Sequence, residues 1–369
     1  MAGSVKKDGK SWYYVLEVGT INGKRKQKKK RGFATKKEAQ SALIEAEHSL
    51  IKDGYKETTK LLYKDFLVEW LNNKKTVIRE STYSTYSWLI NNFIIPEIGD
   101  NDITKVSPIQ IQTLYSKLLN NGNLSTENIS KIHSLINNSL DRAYRWGLIK
   151  KNSAELVEKP RIQKKEMKVW TIDEVKTFLE ISKSSRYHIA FVLALTTGMR
   201  RGEILGLRWK DINFNSNVLS VVQTLSVDGK KILPTTKSKT SNRNITLPTE
   251  TINLLRLHFA LIQKEKEYAG ILYNDNDLVV STNIGTPCIP RNLNRIFYSL
   301  LGQTKLTRIR FHDLRHTHAT ILLHQGVHPK IVAERLGHSN IKITLDTYSH
   351  VLPSMQTEMA LKLNNILFN

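Results

Sequence analysis

Apolar residues recur at helical spacing through most of the middle of this chain. Phe66, Trp70 and Leu71 lie on one stripe, and Ser81, Tyr83, Tyr86, Trp88, Leu89 and Phe93 belong to a second helix ending near Pro96. Pro108 opens a third, with Ile109, Ile111, Leu114, Tyr115 and Leu118 on it. After the break at Asn121-Gly122-Asn123, a fourth runs from about Ser125 to Trp146. Aromatic residues at this spacing are expected to be core. The first stretch of chain has a different pattern. Ser11 to Leu16 is rich in strand formers, Asn22-Gly23 signals a hairpin turn, and Thr35-x-x-Glu38 is a capping box for a helix running towards Asp53. A polar link around Pro160 precedes a second capping box, Thr171-x-x-Glu174. Beyond it the pattern is mostly helical, with a strand region from about Val218 to Pro248.

These patterns predict a multidomain, mainly α protein. Residues 1–56 form a small basic unit, a strand hairpin or three strands packed on one helix. Residues 57–160 are all-α, and residues 161–369 are mixed α+β and mostly helical.

Charge narrows the choice of partner. Of 369 residues, 56 are Lys or Arg and 33 are Asp or Glu, a formal net charge of +23. A polyanion is the natural partner, and nucleic acid leads. Much of the charge sits on the return arm of the hairpin, at Lys24, Arg25, Lys26, Lys28, Lys29, Lys30 and Arg31. Such an arm beside aromatics suits a DNA groove, although a charged edge strand that resists aggregation would look alike. No run of apolar residues is long enough to span a bilayer, and the N-terminus has no signal-peptide pattern. Cys288 is the single cysteine, which excludes an intrachain disulfide and a multi-cysteine metal site. A soluble, cytoplasmic protein is expected.

The chemistry lies in the last segment. Gly198-Met199-Arg200-Arg201-Gly202-Glu203 puts two glycines near a helix start and an acid three residues from Arg200, on one face if helical. His312-Asp313-Leu314-Arg315 aims an imidazole and a guanidinium at one spot. Arginine clamps phosphate oxygens bidentately, and histidine can donate to the same group or move a proton. Leu336-Gly337-His338 precedes Tyr348 by ten residues. A phenol with a pKa of about 10 is a poor nucleophile unless a cationic, hydrogen-bonding pocket surrounds it. Two lysines, Lys237 and Lys239, sit between the strands, where a hairpin tip could reach a DNA groove.

Arg200, His312-x-x-Arg315, Leu336-Gly337-His338 and Tyr348, in this order and spacing, resemble the tyrosine recombinase family over roughly the last two hundred residues. The helical segment resembles that family's core-site-binding domain. The basic N-terminal unit resembles, more loosely, the arm-site-binding domain of phage and conjugative-transposon integrases. The resemblance implies a site-specific recombinase that integrates or excises a mobile element through a 3′-phosphotyrosyl intermediate and a Holliday junction. It implies that Arg200 and Arg315 bind the scissile phosphate and that His312 serves as an acid/base group. His338 would donate to a non-bridging oxygen, Lys239 (or Lys237) would protonate the leaving 5′-oxygen, and Glu203 would orient Arg200. Tyr348 would attack. No cofactor or metal is implied. The implied partners are double-stranded DNA at core and arm sites, a homotetramer on that DNA, and an accessory bending or excision protein. The tail after Pro353, with Met355, Met359, Leu363 and Ile366 on one stripe, would dock on a neighbouring subunit.

Other expectations compete. His312, His316 and His318 could suggest zinc, but no cysteine pair supports it and an arginine interrupts them. A non-catalytic DNA-binding regulator would explain the charge but not the ordered motifs, and a type IB topoisomerase would share the chemistry without choosing a site. A Tyr348 hydroxyl locked in a packed interior, or Arg200 and Arg315 on opposite sides of the domain, would contradict the enzyme.

Overall fold

The computed structural model describes residues 3–21, 24–53, 61–162, 167–234, 242–348, 360–361 and 363–368. Backbone contacts divide the chain between Gln163 and Lys164.

The first unit begins with an antiparallel sheet in the order β1 (Gly3–Asp8), β2 (Ser11–Ile21), β3 (Lys24–Phe33), followed by α1 (Lys36–Asp53). Alternation along β2 sends Tyr14 and Leu16 into a small core with Leu43 of α1. Tyr13 and Val15 pair with Arg31 and Lys29, so the other face of the sheet carries basic and aromatic side chains together. The capping box forms as expected: Thr35 Oγ1 accepts from Glu38 N, and Glu38 Oε2 accepts from Thr35 N. The Asn22-Gly23 turn lies outside the described residues.

The helices that follow are α2 (Tyr63–Lys74), α3 (Glu80–Leu89), α4 (Pro108–Asn121) and α5 (Thr126–Arg145). They enclose a core that includes Phe66, Trp70, Leu89, Leu114, Tyr115 and Ile132. Two expectations change here. The second helix does not end at Pro96. It continues from Ile90 to Gly99 in wider π turns, which accommodate a proline with no N–H to give. The apolar stripes are only partly core: Trp88 is 48% exposed and packs edge-on against Phe93, and Ile109 is 79% exposed in the first turn of α4.

The second unit contains α6 (Ile172–Ser182), α7 (His188–Thr197), the short α8 (Arg201–Leu205), β4 (Ile212–Asn213), β5 (Val218–Val221), β6 (Gln223–Leu225), β7 (Ile232–Pro234) and β8 (Arg243–Thr246). It continues with α9 (Thr249–Ala269), α10 (Pro290–Leu301), α11 (Asp313–His324), α12 (Pro329–Leu336) and α13 (Ile341–Tyr348). The strand region starts a little earlier than its pattern suggests. β4, β5 and β8 make one antiparallel sheet, and β6 pairs with β7. Helix α7, Ile189 to Leu195, is apolar on every side and so is buried on every side, with α6, α8, α9 and α11 against it. Phe191 of α7 meets Phe178, Phe297 and Phe311 from the surrounding elements, each ring worth roughly 1.5–3 kcal/mol of burial. This rigid centre fixes where α7 ends and where α11 begins. Among the described residues, no helix is long and apolar enough to cross a membrane.

Candidate active site

Two helix ends build the site. The last carbonyls of a helix have no partner within it and form its negative end, so they attract cations. Helix α7 stops at Gly198 in the left-handed region, with φ of 66°. Helix α12 stops the same way at Gly337, with φ of 69°. Buried Arg315, in the first turn of α11, links the two: Nη1 donates to Gly198 O at 2.7 Å and Nη2 to Leu336 O at 2.8 Å. Nε of Arg243, on β8, donates to Arg335 O at 2.8 Å. Both glycines also give room. A Cβ at 337 would lie 2.9 Å from Arg243 Nη1, and one at 198 would lie 2.6 Å from Leu336 Cδ2. Gly202 allows the expected close approach, since a Cβ there would meet Leu225 O of β6 at 2.8 Å.

Arg200 and Glu203 do meet, though not as neighbours on a helix face. Arg200 is the extended residue that caps α8, and Glu203 is three residues into the cap. Glu203 Oε2 accepts from Arg200 N at 2.9 Å, and Oε1 accepts from Arg200 Nη1 at 2.8 Å. The same carboxylate pairs with Arg243 at 2.8 Å. Burial alone would raise the Glu203 pKa, but the bonds and charge of Arg243 and then Arg200 overcome it and bring it to about 2. Glu203 therefore stays ionised between two guanidiniums. Arg200 remains 44% exposed in its side chain, so one of the two predicted phosphate ligands faces outward while Arg315 is anchored from behind.

The histidines complete the cluster. His312 caps the start of α11 and is exposed at the surface. His338 is held by Thr344 through Nδ1 at 2.8 Å. Burial, then the charges of Arg315 and Arg200, push the His338 pKa down to about 4. Burial and Arg200 likewise pull Arg315 down to about 9, which leaves it protonated at neutral pH. Arg200 and Arg315 thus act on the same imidazole and on each other, and they are not on opposite sides of the domain.

Tyr348 differs from expectation. It is 1% exposed, and its ring packs with Ala319, Leu323, Val332 and Leu336. Burial pushes the phenol up to about 12, and Arg315 offsets only part of the rise. The hydroxyl itself is not in apolar surroundings: it is 2.7 Å from His316 Nδ1. Ring and hydroxyl are both buried, with the oxygen against His316 and under the influence of the Arg315 charge.

Sequence reasoning missed three of these side chains. Arg243 had one faint signal, a lone arginine just after the lysine pair and before a strand ending in Pro248. Arg335 fastens α12 to α7 and β8, donating to Thr196 O and Thr246 O. It also donates to His318 Nε2, while His318 Nδ1 bonds Leu195 O, so both ring nitrogens of His318 are engaged and neither faces a zinc site. His316 gave no signal of a contact with Tyr348. Lys237 and Lys239 lie outside the described residues. On β3, Lys28, Lys29, Lys30 and Arg31 are exposed, with Lys29 Nζ over the Tyr13 ring at 4.1 Å and Arg31 over the same ring at 5.7 Å. The side chains of Lys24, Arg25 and Lys26 lie outside what is described.

Known proteins share this architecture. Residues 168–355 match the phage integrase family, residues 4–50 an arm DNA-binding domain, and residues 62–119 the N-terminal SAM-like domain of phage integrases. A XerC-like tyrosine recombinase of Caldanaerobacter subterraneus subsp. tengcongensis is 31% identical, with 98% of this chain and 97% of that protein covered. The ICEBs1 integrase of Bacillus subtilis is 26% identical over 90% of this chain and 91% of that protein. Among solved structures, the Tn1549 transposon integrase bound to transposon right-end DNA superposes with a TM-score of 0.70. Its identity is 20%, and the match covers 81% of this chain and 99% of that one. A lambda integrase tetramer bound to a Holliday junction gives 0.60 at 18% identity, over 87% and 89% of the two chains.

Proposed function

The chain belongs to the phage integrase family and is a tyrosine recombinase, a DNA strand-transferring enzyme; from that premise we propose how its own residues do the work. Arg200 and Arg315 hold the scissile phosphate and offset the charge that builds in the pentacoordinate transition state. Arg315 needs no reorganisation to do so, because two helix ends already fix it. His338 and His312 hydrogen-bond the phosphate oxygens, with His312 also moving a proton, and Glu203 keeps Arg200 aimed. Tyr348 Oη attacks phosphorus to give a 3′-phosphotyrosine, and Lys239 (or Lys237) protonates the departing 5′-oxygen. The phosphotyrosine retains the energy of the broken phosphodiester, so neither ATP nor a metal ion is required. The observation that carries this assignment is the hydrogen-bonded set joining Arg200, Glu203, Arg243 and Arg315 to the two helix ends beside Tyr348.

The finer organisation follows the same reasoning. Residues 1–56 bind arm sites through the Lys24–Arg31 strand, residues 57–160 bind core sites, and residues 161–369 carry out the chemistry. Four copies assemble on two duplexes through a Holliday junction, integrating or excising a mobile element, with an accessory bending or excision protein setting direction. Residues 360–361 and 363–368 are helical, with Leu363, Ile366 and Phe368 at 50%, 76% and 78% exposure, as suits a tail that docks on a neighbouring subunit. The enzyme acts in the bacterial cytoplasm, where its DNA is.

Covalent capture tests the assignment. A pool of nicked duplexes of randomised sequence is incubated with the protein, and adducts that survive denaturation are isolated and sequenced. Wild type should give a phosphotyrosine at Tyr348 on a defined site, whereas Tyr348→Phe should bind DNA and give none. Absence of an adduct from wild type would leave a DNA-binding regulator. Adducts without sequence preference, together with relaxation of any plasmid, would point to a topoisomerase.

A further inference from the structure

We propose that His316 is the proton acceptor for Tyr348: it takes the phenolic proton during strand cleavage and returns it during religation. This rests on Tyr348 being the nucleophile. The two side chains come from α11 and α13 and are brought together by the fold, with His316 Nδ1 2.7 Å from Tyr348 Oη. Among the described residues, that nitrogen is the only partner of the hydroxyl. Burial, then His312, lowers His316 to about 4, so its ring is neutral at physiological pH. In the tautomer that carries its proton on Nε2, Nδ1 is bare and accepts from the phenolic O–H, and this is the arrangement the proposal requires.

The other groups facing His316 fit this role. His312 stands edge-on to it with ring centroids 5.0 Å apart, and Arg310, Asp313 and Arg315 contribute charge from its own end of α11. From the other elements come Tyr348 of α13 and the half-buried His338. The phenol and the bare imidazole are mismatched as acid and base while DNA is absent. A phosphodiester seated on Arg200 and Arg315 would add negative charge beside His316 and raise its proton affinity. As the Oη–P bond forms, the phenolic proton becomes strongly acidic and passes to Nδ1. The P–O5′ bond breaks, and the leaving oxygen takes its proton from a different group. In religation the 5′-hydroxyl attacks phosphorus, Tyr348 Oη leaves, and the imidazolium gives the proton back. The general acid assigned to the 5′-oxygen and the acceptor assigned to the phenol are thus separate side chains, which leaves His312 a hydrogen-bonding role at the phosphate in place of the proton transfer given to it above.

The test uses the full chain and a nicked duplex with a 5′-bridging phosphorothiolate at the captured site. The sulfur leaving group needs no proton, so the rate of adduct formation reports on the phenol alone. His316→Asn keeps an acceptor near Nδ1 but cannot hold a proton, and cleavage should fall on the order of 10²- to 10⁴-fold. His316→Ala leaves room for a free base, and added imidazoles should restore cleavage, with stronger bases restoring more. Near-wild-type cleavage by His316→Asn would overturn the proposal while leaving Tyr348 as nucleophile, as would rescue that ignores the base strength of the imidazole. Wild type serves as the control: if it forms no adduct, the assignment of Tyr348 fails instead.

Discussion

Glutamine at position 203 should destabilise the catalytic unit by about 3 kcal/mol, and the size of that loss follows from two separate routes. The carboxylate is 5% exposed and Arg243 is 6% exposed in its side chain, so water screens neither. Its pKa of about 2 stands a little over two units below the ordinary value, which corresponds to roughly 3 kcal/mol in favour of the folded, ionised form. Breaking a buried ion pair by removing one charge costs about 3–5 kcal/mol, because the other charge is left inside. Glutamine keeps the shape and one acceptor, which puts the expected loss at the lower end. Hydrogen exchange of the buried amides of α7 and α11 reads the opening free energy of this unit without interference from the others. Arg243→Met in the Glu203→Gln background should be milder than the sum of the two single changes by at least about 1 kcal/mol. The sign with pH is fixed as well. The folded pKa is depressed, so the contribution is fully present above about pH 5 and is lost as pH falls towards 2, and Glu203→Gln should show no such loss. Adduct formation should slow in parallel, since Arg200 loses its tether. A variant with opening free energy and cleavage rate unchanged would refute the role assigned to this carboxylate.

Gly198→Ala should lower the melting temperature by roughly 5 °C or more, because alanine is strained at a φ of 66° and its Cβ would press on Leu336 and His318. Cleavage should drop with it, as Gly198 O holds Arg315, and a stable, fully active variant would contradict the helix-end account. His318 is buried and sits near 4, below its unfolded value of about 6.5, so its contribution is present above about pH 6.5 and is lost as pH falls towards 4. Amides of α7 should therefore exchange faster at pH 5 than at pH 7 after correction for intrinsic rates, an effect of up to about 3 kcal/mol by pH 4 or below. DNA affinity should fall steeply with salt, and replacing Lys29 or Lys30 with alanine should flatten the logarithmic slope by about 0.9 for each phosphate no longer neutralised. Slopes identical to wild type would remove these lysines from the DNA interface.

Much of this fold was legible because it depends on local rules. The two boxes Thr35/Glu38 and Thr171/Glu174 form as their spacing requires, and Gly122 ends α4 in the left-handed region. The π turns around Pro96 were not legible, since a proline normally marks a helix boundary and only tertiary packing on Ile94 and Ile98 carries the helix past it. At the site, the motifs gave the residues but not the way they are held. Arg200 and Glu203 are neighbours in the chain, and their contact was foreseeable. The bonds from Arg315 to Gly198 O and Leu336 O cross 117 and 21 residues, and Arg243 reaches Glu203 over 40. Contacts of that kind depend on where helices stop in space, which periodicity does not encode. The same holds for Tyr348 and His316: a sequence shows a tyrosine and a histidine but not which nitrogen meets the hydroxyl.

The cation cluster has a thermodynamic consequence for the DNA-free protein. Arg200, Arg243, Arg315 and Arg335 are gathered around two helix ends with the Glu203 carboxylate between two of them, and the charge of Arg200 already lowers the proton affinity of Arg315. Like charges repel, and here the helix termini and the Glu203 carboxylate offset that repulsion. If a phosphodiester binds at these arginines as proposed, it would supply counter-charge, and the same domain would become tighter when loaded. The protein would then be at its most rigid at the moment it breaks a strand, when a loosened grip would release a severed chromosome.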